Sequence, residues 1–81
     1  MTVTVRLFAR ARDLAGSPTV LVELPQPATV ADLRAALLRA KPQLQPLAAS
    51  LLVAVGAEYA ADTAPISPGE EVAVFPPVSG G

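Results

Sequence analysis

The residues best placed to do chemistry stand at the end of the chain, Val78-Ser79-Gly80-Gly81, entered through Phe75-Pro76-Pro77. A Gly-Gly pair at a given site arises by chance only about 0.5% of the time, taking Gly at roughly 7% of residues. Glycine has no Cβ, so a nucleotide or another protein's backbone can approach it closely. A carboxylate on Gly81 could therefore enter a narrow channel that any other residue would block. The tail reads as a reactive end, a substrate for activation by another protein. The competing reading is a frayed terminus that nothing orders. Pro76 and Pro77 favour the reactive end. With fixed φ and no backbone N–H, they stop the preceding strand and hold the exit path extended.

The rest of the chain offers little catalysis. It contains no cysteine and no histidine. It therefore lacks thiolate chemistry, a disulfide framework, the usual neutral-pH proton shuttle and the commonest metal ligand. The acids are scattered, and the one doublet, Glu70-Glu71, falls in an expected turn and reads as solvated surface. A self-sufficient hydrolase or metalloenzyme is not indicated. We expect no catalytic residue, metal or cofactor on the isolated chain; any reaction uses its own C-terminus in a partner's active site. Six basic and seven acidic residues give a net charge of −1. The only local basic cluster is Arg6, Arg10 and Arg12, with Asp13 beside it, which falls short of a nucleic-acid footprint. Residues 1–8 alternate instead of forming a secretion signal. The longest unbroken apolar run, 51–55, is far below the roughly 18 residues of a membrane span. The expectation is a cytoplasmic protein with neither nucleic acid nor membrane among its partners.

At 81 residues the chain is one domain with a modest core. It is 52% hydrophobic and 16% charged, with a mean hydropathy of +0.48. Part of that apolar surface must be exposed, and exposed apolar patches mark partner sites.

The elements that must position the tail follow from periodicity. Residues 2–8 alternate, with Val3, Val5 and Leu7 on one face and Thr2, Thr4, Arg6 and Phe8 on the other, as in a half-buried strand. Residues 9–15 make a short helical turn closed by Gly16. Residues 19–24 form a second strand, ended by Pro25 and Pro27. Thr29 is the expected N-cap of the main helix, with Asp32 completing an imperfect capping box. Val30, Leu33 and Leu37 make its apolar stripe, and Pro42 stops it near Ala40. Residues 43–50 are a loop or short helical turn anchored by Leu44 and Leu47; residues 51–55 form a third strand, the most buried by composition. Gly56 permits a tight turn, residues 58–60 form a short strand, 62–71 are loop and turn, and 72–75 form the last strand. The order β-β-α-β-(β)-β suits an α+β fold with one mixed sheet around one helix. We expect a domain over residues 1–75 and a tail over 76–81.

Phe8, Tyr59 and Phe75 are the only aromatic residues. Phe8 is out of phase with Val3, Val5 and Leu7, and Phe75 with Val72 and Val74. If the valine phases face the helix, both phenylalanines face away, either folded over a sheet edge or as a partner patch at the root of the tail.

The chain resembles the small, sulfur-carrying subunits of molybdopterin synthases, within the ubiquitin-like sulfur carriers of MoaD and ThiS type. The resemblance runs through residues 5–16 (VRLFARARDLAG), 29–33 (TVADL), 51–55 (LLVAV) and, most specifically, 68–81 (PGEEVAVFPPVSGG). Departures are Gly56 where Asn is frequent, Val74 where a second Phe is frequent, and Asp13 in place of Glu.

The resemblance implies a ubiquitin-like β-grasp fold with a flexible Gly-Gly tail. It implies that an E1-like partner enzyme, using ATP and Mg²⁺, adenylates Gly81 and that a sulfur donor converts it to a thiocarboxylate. Val78, Ser79, Gly80 and Gly81 would then enter the large synthase subunit, within a heterotetramer, and deliver sulfur to a cyclic pyranopterin monophosphate. Phe8, Arg12, Tyr59, Phe75, Pro76 and Pro77 would form the partner interface. A carrier for thiazole (thiamine) synthesis and a ubiquitin-like protein modifier share the same fold and terminus.

Overall fold

The computed structural model describes residues 1–77. In chain order the elements are β1 (Thr2–Leu7), α1 (Ala9–Ala15), β2 (Thr19–Glu23), β3 (Ala28–Thr29), α2 (Val30–Ala40), a 3-10 helix (Pro42–Leu47), β4 (Leu52–Val55), β5 (Glu58–Tyr59), β6 (Pro65–Ile66) and β7 (Val72–Phe75).

The alternation in the sequence becomes a two-faced sheet in the order β2-β1-β7-β4-β5. β1 pairs antiparallel with β2, Val3 opposite Val22 and Val5 opposite Val20. It pairs parallel with β7, Val5 opposite Val72 and Leu7 opposite Val74. β7 runs antiparallel to β4, and β5 closes the far edge with Tyr59 opposite Ala54. Because side chains alternate along each strand, this register puts Val3, Val5, Leu7, Val20, Val22, Val53, Val72 and Val74 on one face, where all are buried. Val30, Leu33, Ala36 and Leu37 of α2 cover them, with Leu44 from the 3-10 helix. No polar or charged side chain is buried among the described residues. A mixed sheet wrapped on one main helix is the α+β, ubiquitin-like β-grasp architecture.

The helix start forms as the sequence indicates. Asp32 N–H donates to Thr29 Oγ1 at 3.4 Å, and Thr29 N–H donates to Asp32 Oδ2 at 2.9 Å. Asp thus completes a reciprocal capping box in the place usually held by Glu or Gln. Gly16 closes α1 at φ +75°, its N–H on Arg12 C=O at 2.9 Å.

Two expectations need correction. Residues 62–71 are not all loop: Pro65–Ile66 pairs antiparallel with Ala28–Thr29 as a separate two-stranded sheet. The cause is the helix end. Val30 and Ala31 N–H groups, which have no partner within α2, donate to Ala64 and Asp62 C=O, each at 3.0 Å. Arg34 Nε adds an ion pair to Asp62 at 2.7 Å. The strand at 51–55 is also not the most buried. Only Val53 of β4 is fully buried, because β4 lies next to the short edge strand β5, whereas β1 and β7 occupy the sheet centre.

Candidate functional site

The site is built where β7 hands the chain to the tail. Phe75 is the last residue of β7, opposite Leu52 of β4, and points to the sheet face away from α2. Phe8 follows β1 and caps α1 with extended backbone. Its N–H donates to Val74 C=O at 3.2 Å, so the β1–β7 ladder fixes its place beside the end of β7. The next residue, Ala9, has φ +54°. This left-handed conformation is uncommon for a residue with a Cβ and turns the chain sharply into α1. Tyr59 reaches the same face from β5.

The strand order thus gathers all three aromatic residues into one row. Phe8 and Phe75 meet edge to face with ring centroids 6.2 Å apart, and Tyr59 and Phe75 do so at 5.5 Å. Phe75 is the half-buried centre; Phe8 is 40% and Tyr59 69% exposed. Pro76 is half-buried beside them and Pro77 is exposed. The outward phase read for the two phenylalanines is the observed one, and their mutual contact replaces the alternative in which each folds singly over a sheet edge. An exposed, pre-assembled aromatic row is the kind of surface that supplies binding hot spots at low ordering cost.

The flanking cation is Arg6. Its guanidinium carbon lies 5.6 Å from the Phe8 ring centroid, and its Nη1 donates to Glu71 Oε1 at 2.7 Å. Arg6 was legible as a neighbour of Phe8 on the outer face of residues 2–8 and as part of a basic cluster, but not as a site residue, a place expected of Arg12. The i, i+2 spacing to Phe8 sets both side chains on one strand face, whereas the approach of Glu71 depends on the pairing of β1 with β7. Arg12 is exposed in the last turn of α1 and makes no ion pair or cation–π contact among the described residues. Val78, Ser79, Gly80 and Gly81 lie outside the described residues. Among the described residues no group of three His, Cys, Asp or Glu side chains could hold a metal ion, and no helix is long and apolar enough to cross a membrane.

The model of the ThiS family matches residues 5–81. The chain belongs to the ThiS family. Among the relatives of this ThiS family chain is the molybdopterin synthase sulfur carrier subunit of Arabidopsis thaliana, 34% identical over 98% of this chain and 82% of that protein. Small archaeal modifier protein 1 of Haloferax volcanii is 39% identical over 94% of this chain and 97% of its own. The crystal structure of SAMP1 from Haloferax volcanii superposes with a TM-score of 0.88 at 36% identity, covering all of both chains.

Proposed function

We propose that this chain is the sulfur carrier subunit of a molybdopterin synthase. The observation that carries the reading is the aromatic row Phe8–Phe75–Tyr59 at the root of a Gly-Gly tail. It is a docking surface from which the tail can be fed into a partner. Support comes from relatives named as such subunits, at 34% identity in Arabidopsis thaliana and 35% in Chlamydomonas reinhardtii.

The chemistry follows from the terminus. A carboxylate is a poor electrophile. Attack of the Gly81 carboxylate oxygen on the α-phosphorus of ATP, with loss of pyrophosphate, gives an acyl-adenylate with a good leaving group. The ATP and its Mg²⁺ are substrates of an E1-like partner enzyme, the metal offsetting phosphate charge. A sulfur donor then displaces AMP and leaves a thiocarboxylate, a soft nucleophile ionised at neutral pH. Docked on the large subunit, the tail delivers that sulfur to a cyclic pyranopterin monophosphate and returns as the carboxylate. Two deliveries complete the dithiolene. Val78 to Gly81 spans at most about 14 Å when extended, which sets how deep the reacting carbon reaches beyond the docking face. The activating and transferring groups belong to the partners, in keeping with a chain that has neither His nor Cys.

ATP–pyrophosphate exchange by the adenylating enzyme tests the reading. The full chain supports exchange, and deletion of Gly81 abolishes it without changing thermal unfolding. Exchange at the full rate with the truncated chain would refute it.

A second reading is favoured by the Haloferax volcanii relative named a modifier protein: the same activated terminus joined to a lysine amine of another protein. Conjugates recovered from cells at high mass, ending in the Ser79-Gly80-Gly81 remnant on lysine, would support it; free chain bearing sulfur at Gly81 supports the carrier.

A further inference from the structure

We infer that Arg6, carrying Glu71 as its own counterion, belongs to the docking face beside Phe8 and selects a partner surface that is apolar and bears no acidic side chain opposite Arg6. The inference rests on the reading above, in which the aromatic row docks a larger subunit.

Arg6 stands on the outer face of β1, opposite Ala73 of β7 and one outward position below Phe8. One side of its guanidinium faces the Phe8 ring at 5.6 Å, and Nη1 bonds Glu71 at 2.7 Å. The two side chains are 53% and 63% exposed. At that exposure an ion pair contributes little to folding, and a cation–π contact is at its weakest. The strands do not need it either: the buried pairs Val5–Val72 and Leu7–Val74 already fix the β1–β7 register. The pair matters when the surface is covered.

A partner seated on Phe8 also covers the guanidinium packed against that ring. Water leaves, the local dielectric falls, and the attraction between Arg6 and Glu71 grows. Without a counterion the same step would desolvate an unpaired cation, which is strongly unfavourable. Glu71 supplies the counterion from within the carrier, so the partner need not. Its backbone C=O accepts from Gly56 N–H at 2.8 Å, a bond that a side-chain substitution leaves intact.

The test is calorimetric titration of the synthase large subunit with the unmodified chain, Glu71→Gln, and the double variant Arg6→Met/Glu71→Gln, with thermal unfolding of each. Met keeps an apolar stem against Phe8 without the charge. All three melt alike. Glu71→Gln binds about 10-fold or more weakly, as expected when one member of a covered charge pair is removed. The double variant recovers most of that loss, although it is further from the original sequence, which a purely structural role for Glu71 would not allow. Unchanged or tighter binding by Glu71→Gln overturns the inference, tighter binding meaning that the partner brings its own acid to Arg6. So does a double variant as weak as the single one. If the unmodified chain itself does not bind the large subunit, the functional reading falls and takes this inference with it.

Discussion

Phe8 and Phe75 meet edge to face, ring planes 74° apart and centroids 6.2 Å apart, at the point where the chain leaves the sheet. Each comes from the outward phase of a central strand or its continuation, and the parallel pairing of β1 with β7 brings them together. The face opposite the core thus carries the aromatic side chains, beside the root of the tail. The buried core and the proposed docking face lie on opposite sides of one sheet, so substitutions can test them separately.

Phe75→Ala is the direct test of that separation. The ring is half-buried, so its loss costs the isolated fold less than the roughly 3–5 kcal/mol of a fully buried phenylalanine. As the centre of the aromatic row it weakens binding to the large subunit by about 2 kcal/mol or more. Urea unfolding and titration calorimetry on the same preparations measure both quantities. A large stability loss with unchanged affinity would reassign Phe75 to the core.

Ala9 carries the backbone cost of the turn between Phe8 and α1. At φ +54° and exposed, its side chain has more conformation than packing at stake. Ala9→Val puts a β-branched residue where such residues are outliers, and destabilises the fold by roughly 1–2 kcal/mol in urea unfolding. A variant as stable as the original would show that this turn is not left-handed in solution.

Much of this was legible in the sequence, for identifiable reasons. Strict alternation at residues 2–8 and the valines at 72 and 74 fixed which faces are buried, because a one-residue slip would invert them. Thr29 and Asp32 marked the helix start. The β3–β6 pair was not legible: two-residue strands have no period to detect, and Pro65 argues against a strand by its missing N–H. Leu51 to Val55 reads as the most buried strand by composition, but burial depends on its place in the strand order, which local pattern does not encode. The same gap explains the site. The outward phase of Phe8 and Phe75 could be read, whereas their contact, the approach of Tyr59 and the seat of Arg6 between Phe8 and Glu71 depend on which strands are neighbours.

Gly80→Val tests the tail at a position outside the described residues, whose buried core runs from Val3 to Val74. The variant unfolds like the original. A branched Cβ restricts the backbone and widens the tail, so single-turnover sulfur transfer slows by tenfold or more, on the order of 1.4 kcal/mol in the barrier. Transfer within a factor of two of the original would mean that the partner's channel is not narrow at this position.

Whether Gly81 carries sulfur to a pterin precursor is read from the mass of its terminal fragment during a single turnover. The chain is activated by the adenylating enzyme with a sulfur donor, then mixed in single turnover with the large subunit and cyclic pyranopterin monophosphate, and its terminal fragment is followed by mass spectrometry. Fragmentation is needed because oxidation of Met1 shifts the intact mass almost equally. Sulfur replaces one carboxylate oxygen on Gly81 after activation and is lost in step with dithiolene formation. Sulfur absent from Gly81 after activation, or retained there while product forms, would contradict it.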